Sequence, residues 1–472
     1  MPSKLSLLAL LATAGTSLGA CAQSCNATSK SPACLAKQGA AFEASQHAAP
    51  TPDFYTIPAN FSSTLAPGRL LKVEAVTDLT NYTVPSSLSM SRILYTTADL
   101  NGTILPASAY ILWPYAPPSS NGYPLVAWAH GTSGVLRACA PSSYRSLQYH
   151  FMAPYLLALE GMAVVAPDYA GLGFDHLPDG TPLRHPWLVG PAQAADLANA
   201  IVAARAAFPA QLPSNGSFVS MGHSQGGQAS WAFAERQVSK PIAGYKGAVA
   251  IAPVTRILAH LEAGIANASS PAGQFILSVQ PKLIAGVTAL FPAYNNSGMS
   301  PAAYNLWTNV LEPVSGCLPT DALVFSGLAP DQLVRPGWQK DPEAQAYGKL
   351  SETGRRKFKG PLLVLSGGDD IIVTHDELEQ AVKDTCAMDA AQNWNESLEM
   401  VTFSAMNHFP VIQASQMKWL SWIKARFAGE GVSKGCKSSV VNGFRTEDTF
   451  QAGTPNFLVE WASPQDMWKY QL

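Results

Sequence analysis

The chain has 472 residues, 47% of them apolar and 13% charged, and a formal net charge of −2. That length accommodates one large core plus an insertion, and a pI near 6.5 argues against a nucleic-acid binder, which normally shows a basic stripe. The charged fraction, about half that of an average soluble protein, leaves room for apolar surface, as a protein meeting lipid or another apolar substrate needs.

Residues 1–22 read as a signal peptide: Lys4 is the positive start, Leu5 to Ala14 the apolar run, and Ala20-Cys21-Ala22 a small-x-small cleavage site before Gln23. The run is shorter than the roughly 20 apolar residues that span a membrane, and no other segment reaches that length, so no transmembrane segment is expected. An alternative takes Leu18-Gly19-Ala20-Cys21 as a bacterial lipoprotein signal with Cys21 lipidated. Glycosylation sequons weigh against it. They begin at Asn26, Asn60, Asn81, Asn101, Asn215, Asn267, Asn295 and Asn395, where chance supplies about two or three. The expectation is a secreted, extracellular protein. Of seven cysteines, Cys21 leaves with the leader, and the remaining six (Cys25, Cys34, Cys139, Cys317, Cys386, Cys436) suit three disulfides. Cys25–Cys34 is the local pair.

Residues 23–84, rich in Ser, Ala, Pro and Thr without sustained periodicity, are expected to wrap the domain surface. A β-hairpin is predicted from Arg92 to Thr97 and Thr103 to Trp113, around Asp99-Leu100-Asn101-Gly102. Short apolar runs then end in turns at Leu125 to Ala129, Ala163 to Ala166, Phe218 to Met221, Ala248 to Ile251, Leu362 to Leu365 and Leu398 to Phe403. Helical spacing follows several of them, in Gln193 to Ala206, Gln225 to Gln237 and Ser415 to Phe427. This alternation implies an α/β fold, with a mostly parallel central sheet flanked by helices on both faces. It breaks between Pro253 and Gly360, a stretch too long for a structureless loop. The organisation read from the chain is therefore a first core segment (85–254), an inserted, mainly helical cap or lid (255–359), a second core segment (360–430) and a tail (431–472).

Gly222-His223-Ser224-Gln225-Gly226 matches G-x-S-x-G, with a strand running into it and a helix opening behind it. Glycines suit so tight a turn, and the helix N-terminus favours negative charge at the serine. Ser224 is the expected nucleophile. A serine hydroxyl needs a base, and the base an orienting acid; in this fold the order is serine, acid, histidine. Only His260, His375 and His408 follow Ser224. His260 falls in the insertion and His375 shares a loop with the acid, which leaves His408, between a strand and a helix. Ser366-Gly367-Gly368-Asp369-Asp370 follows a strand and offers Asp370 as the acid, with Asp369 as the alternative. For the oxyanion, one donor is the backbone N–H of Gln225. The other comes from His130-Gly131-Thr132-Ser133-Gly134, with Thr132 preferred, Gly131 or Ser133 as alternatives, and His130 as a brace. Asp168 is expected to tie down its loop. No H-E-x-x-H, P-loop or zinc-spaced cysteine pair is present, so neither a metal nor a cofactor is expected.

The blocks Trp128-Ala129-His130-Gly131-Thr132-Ser133-Gly134, Cys139-Ala140-Pro141-Ser142, Asp168-Tyr169-Ala170-Gly171-Leu172-Gly173, Gly222-His223-Ser224-Gln225-Gly226-Gly227 and Asn407-His408-Phe409 resemble the secretory lipase family of the lipase A type, within the α/β-hydrolase superfamily. The likeness spans roughly residues 85 to 430, and the Cys-Ala-Pro-Ser block is its most specific part. The resemblance implies hydrolysis of carboxylic esters, acylglycerols in particular, by a Ser224–His408–Asp370 triad beneath a lid-bearing cap. It further implies that Cys139 pairs with Cys317 and Cys386 with Cys436. Where lipase A has an acidic residue in the oxyanion loop, this chain has Ser133 and is similar to a separate His-Gly-Thr-x-Gly branch. The tail, ending in Trp468-Lys469-Tyr470, is a flap over the entrance or a docked strand. The partner implied is an ester or lipid substrate at a lipid–water interface, met by a monomer. Rival readings are a carboxylesterase on small or aromatic esters, an acyltransferase or peptidase with the same triad, and a non-catalytic binding protein.

Overall fold

In a computed structural model of the chain, residues 25, 31–48, 54–149, 152–446 and 449 are described. The signal-peptide segment with Cys21, the sequon at Asn26 and the Trp468-Lys469-Tyr470 end lie outside them. A ten-stranded sheet runs in the order β1-β2-β3-β5-β4-β6-β7-β8-β9-β10. Its strands are β1 (Leu70–Glu74), β2 (Ser89–Ala98), β3 (Ile104–Trp113), β4 (Leu125–Ala129), β5 (Ala163–Pro167), β6 (Phe218–His223), β7 (Tyr245–Ile251), β8 (Leu362–Gly367), β9 (Ser397–Phe403) and β10 (Gly435–Val441). The first three pair antiparallel, β3 meets β5 antiparallel, and from β5 to β10 every pair is parallel. The mostly parallel α/β architecture expected from the alternation is the one observed.

Parallel strands covered on both faces become unbroken apolar runs, since neither set of alternating side chains meets water. Leu125 to Ala129 shows the division. Val126 and Trp128 join one core layer with Trp419, Trp422 and Ile423, while Leu125, Ala127 and Ala129 join the opposite layer with Leu197, Ile201 and Phe233. The second layer is supplied by helices Gly190–Ala207 and Gln225–Ser239, the first by helix Gln416–Phe427. Burying side chains of this size stabilises by roughly 1.5–3 kcal/mol each.

Between β7 and β8 the chain leaves the sheet and forms helices, the longer ones being Ile257–Ala266, Pro271–Ser278, Gln280–Leu290, Leu318–Phe325 and Pro342–Ser351. They enclose a core of their own that includes Leu283, Val287, Trp307, Trp338 and Tyr347, and it closes onto Trp187 and Val189. Among the described residues no helix is long and apolar enough to cross a membrane.

The segments before and after the main alternation each carry one regular element. Residues 32–46 form a helix, α1 (Pro32–Gln46), started by the Ser31 side chain, which accepts from the Cys34 N–H, and by Pro32 in its first turn. Its buried face is Cys34, Ala36, Gly39 and Glu43, too small and polar to register as an apolar stripe. Residues 435–441 form β10, an edge strand held to β9 by a parallel ladder and to the helix His375–Gln392 by the Cys386–Cys436 disulfide. Two further disulfides join Cys25 to Cys34 and Cys139 to Cys317.

Candidate active site

Ser224 stands between the end of β6 and the start of the helix Gln225–Ser239, with φ +58° and ψ −121°. A residue with a side chain adopts that conformation only where its surroundings impose it. Here the Ser224 N–H donates to the Ile251 carbonyl of β7 (2.9 Å), and its own carbonyl accepts from Gln228 N–H (3.0 Å). The flanking glycines are required by space. A Cβ on Gly226 would collide with the Ala129 carbonyl, and one on Gly222 with the Gly226 carbonyl. Ser224 is half-buried and sits at a helix N-terminus, where backbone N–H groups favour developing negative charge.

Asp370 and His408 come together on neighbouring loops, after β8 and β9. One Asp370 oxygen, Oδ1, accepts from the N–H groups of Ile372 (2.8 Å) and Val373 (2.9 Å). The other, Oδ2, lies 2.7 Å from His408 Nδ1, and both side chains are buried. A proton on Nδ1 leaves Nε2 as the basic nitrogen. Among the described residues no hydrogen bond joins Ser224 Oγ to His408 Nε2. Asp369 is exposed and reaches the histidine loop only through its backbone, whose N–H donates to the Met406 carbonyl (3.1 Å). His375 starts a helix and pairs with Ser366 Oγ (3.2 Å), and His260 Nε2 holds the Ile372 carbonyl (2.9 Å). These two brace the acid loop.

The oxyanion candidates are tied together through their side chains. Trp187 Nε1–H donates to Thr132 Oγ1 (2.9 Å), whose hydroxyl donates to Gln225 Oε1 (3.3 Å). Gln225 Nε2–H donates to His185 Nε2 (2.9 Å), and His185 Nδ1–H donates to the Ala170 carbonyl (2.9 Å). The run needs a neutral His185, and burial pushes that imidazole down to about 3. Gly131 is already committed, because its N–H donates to Tyr149 Oη (2.7 Å). The Ser133 carbonyl accepts from Leu318 N–H (3.1 Å), which anchors this loop to the inserted helices. His130, pushed to about 4 by burial, packs against Tyr169 and contacts the Gly131 and Asp168 carbonyls.

Asp168 is fully buried and holds Ser142 by backbone and hydroxyl together with the hydroxyl of Ser108; burial raises its carboxyl to about 6. It fastens the Cys139-Ala140-Pro141-Ser142 block to the end of β5. Tyr149, His185 and Trp187 carry no motif, and only the folded chain brings them to the site. Among the described residues no group of three or more His, Cys, Asp or Glu side chains is placed to hold a metal ion.

Residues 126–417 match the alpha/beta hydrolase family. Among solved structures, Candida antarctica lipase A is similar at a TM-score of 0.65 and 18% identity, over 84% of this chain and 91% of that one. A mutant of the rice cell wall degrading esterase LipA from Xanthomonas oryzae is similar at 0.57 and 19%, over 77% of this chain and 98% of that one. A putative hydrolase from Legionella pneumophila gives 0.58 and 17%, over 77% and 98%. Identities this low carry the fold and not the substrate. The curated proteins contain no match to the sequence.

Proposed function

The chain belongs to the alpha/beta hydrolase family, and we propose that it is a secreted serine lipase that hydrolyses carboxylic esters, acylglycerols among them, through an acyl-enzyme. The observation that carries this reading is the buried Asp370–His408 pair, 2.7 Å apart, in a chain whose Ser224 is held at φ +58° on a strand-to-helix turn. His408, oriented by Asp370, takes the Ser224 proton as Oγ attacks the ester carbonyl. The N–H groups of Gln225 and Thr132 receive the oxyanion. That attack forms the Oγ–C bond; the ester C–O bond then breaks as His408 Nε2–H protonates the leaving alcohol, and water repeats the cycle on the acyl-enzyme to release the acid and restore Ser224.

The helices from Ile257 to Ser351 serve in this reading as the cap over the site. A secretory route is supported by three disulfides and by sequons whose asparagines (Asn60, Asn81, Asn101, Asn215, Asn267, Asn295, Asn395) are all exposed. A carboxylesterase acting on smaller esters is the second reading, because the solved relatives are a lipase and an esterase by name. A panel of esters graded by acyl length, including tributyrin and trioctanoin emulsions, separates the two. Ser224→Ala is the control: turnover should fall to background, and ester hydrolysis that survives this change sinks the assignment.

A further inference from the structure

We infer that Tyr149 and His223 are positioning residues that lock the oxyanion loop, the nucleophile turn and the His408 loop into one unit. The inference rests on the Ser224–His408 reading of the site.

The geometry leaves one consistent placement of protons. Gly131 N–H donates to Tyr149 Oη at 2.7 Å. Tyr149 Oη lies 3.0 Å from His223 Nδ1, and His223 Nε2 lies 2.9 Å from the His408 carbonyl. A carbonyl only accepts, so Nε2 carries the proton and Nδ1 is the acceptor. The Tyr149 hydroxyl therefore donates to Nδ1 while accepting from Gly131. Each group is used once and none is left over. Burial and the neighbouring His408 hold His223 well below the usual imidazole range, in the neutral form this arrangement requires.

Position gives the three links their meaning. Gly131 precedes Thr132, His223 precedes Ser224, and the carbonyl engaged belongs to His408 itself. A Cβ on Gly131 would collide with Tyr149 Oη and come within 3.4 Å of Ser224 Cβ, so the glycine leaves room for the phenol hydroxyl. The rings of His223 and His408 stand 4.5 Å apart, and Tyr149 packs edge-on against Trp128 at 5.1 Å. Every member is buried, where an unpaired polar group is costly. Displacing one loop would leave a donor or acceptor stranded.

The test is Tyr149→Phe, which keeps the ring and removes both links of the hydroxyl. Turnover of p-nitrophenyl butyrate and the rate of Ser224 labelling by a fluorophosphonate should each fall about 10–100-fold, with KM within about twofold of the parent. His223→Gln, whose amide N–H can reach the His408 carbonyl, should retain more turnover than His223→Ala. Labelling and turnover of folded Tyr149→Phe within about twofold of the parent would overturn the inference. Should Tyr149→Phe fail to accumulate as folded protein, equal losses in His223→Gln and His223→Ala overturn it in the same way. A parent chain that does not label at Ser224 overturns the hydrolase reading, and this inference with it.

Discussion

Asp370 divides its two oxygens between two duties, and that division predicts how its amide would fail. Oδ1 receives the N–H groups of Ile372 and Val373, while Oδ2 faces His408 Nδ1. In Asp370→Asn the amide oxygen must keep the two backbone donors, which turns the NH₂ toward His408. That forces the proton onto Nε2 and removes the base. Turnover should drop about 10³–10⁴-fold with little change in melting temperature, whereas Asp369→Asn, at an exposed side chain, should stay within about twofold of the parent. Equal losses in the two variants would reverse the assignment of the acid. Asp196 supports a different prediction. Buried, with Thr97 Oγ1–H (2.7 Å) and Ala170 N–H (2.9 Å) donating to it, its carboxyl is raised from 3.8 to about 7 by desolvation. A raised carboxyl favours folding while it is neutral, so its contribution is complete below about pH 4 and lost as pH rises through about 7. Asp196→Asn removes that loss, worth at most about 4 kcal/mol at ~1.4 kcal/mol per unit. The melting-temperature difference, variant minus parent, should climb between pH 4 and 8; a flat difference refutes the argument. Chain order and strand ends singled out Ser224, Asp370 and His408 as the proposed triad, and the last two meet in the structure. Tyr149, Trp187 and His185 stayed hidden because contacts across the fold, and no local spacing, bring them to the site.

Helix α1 lies between the sheet domain and the inserted helices, meeting the latter through Ala36, Gly39 and the Glu43 carboxylate. Glu43 accepts from the N–H groups of Cys317 (2.8 Å) and Thr320 (3.0 Å), the open donors at the start of helix Leu318–Phe325. At its C-terminal end α1 reaches the other domain, where the Gln46 carbonyl accepts from Arg145 N–H and Ala48 N–H donates to Ser143. Glu43→Ala would strand two buried donors and should cost on the order of 2 kcal/mol, seen as a lower urea midpoint. Glu43→Gln, which can still accept, should lose less; no separation between the two variants would dismiss the cap. The same contrast explains which elements the sequence revealed. The strands from β4 to β9 stood out because burial on both faces makes them apolar runs closed by turns. In α1 the buried face is small and ends in a carboxylate, and β10, with the sequence Gly-Cys-Lys-Ser-Ser-Val-Val, is mostly exposed. Neither has a periodicity to detect, since a close helix contact and a disulfide hold them instead of an apolar face.

At the scale of the molecule, three disulfides restrain the chain over very different lengths. Cys25–Cys34 spans 9 residues, Cys386–Cys436 spans 50, and Cys139–Cys317 spans 178. The last ties the loop beside the oxyanion candidates to the inserted helices, and next to it the Ser133 carbonyl accepts from Leu318 N–H. A buried Lys282–Asp321 ion pair lies deeper in the insertion, with the Lys282 ammonium over the ring of Trp187, which itself donates to Thr132. Sheet and insertion are therefore joined by covalent, cation–π and hydrogen-bonded links that converge on one loop. Chain entropy ranks the bridges by loop length, at about 5 kcal/mol for Cys139–Cys317, about 4 for Cys386–Cys436 and about 3 for Cys25–Cys34. Replacing each pair by alanine should lower the urea midpoint in that order. Only the Cys139–Cys317 variant should also lose esterase turnover before global unfolding, because it alone frees the loop that carries Thr132. Loss of turnover in step with unfolding in all three variants would show that the bridge steadies the whole fold and does not position that loop.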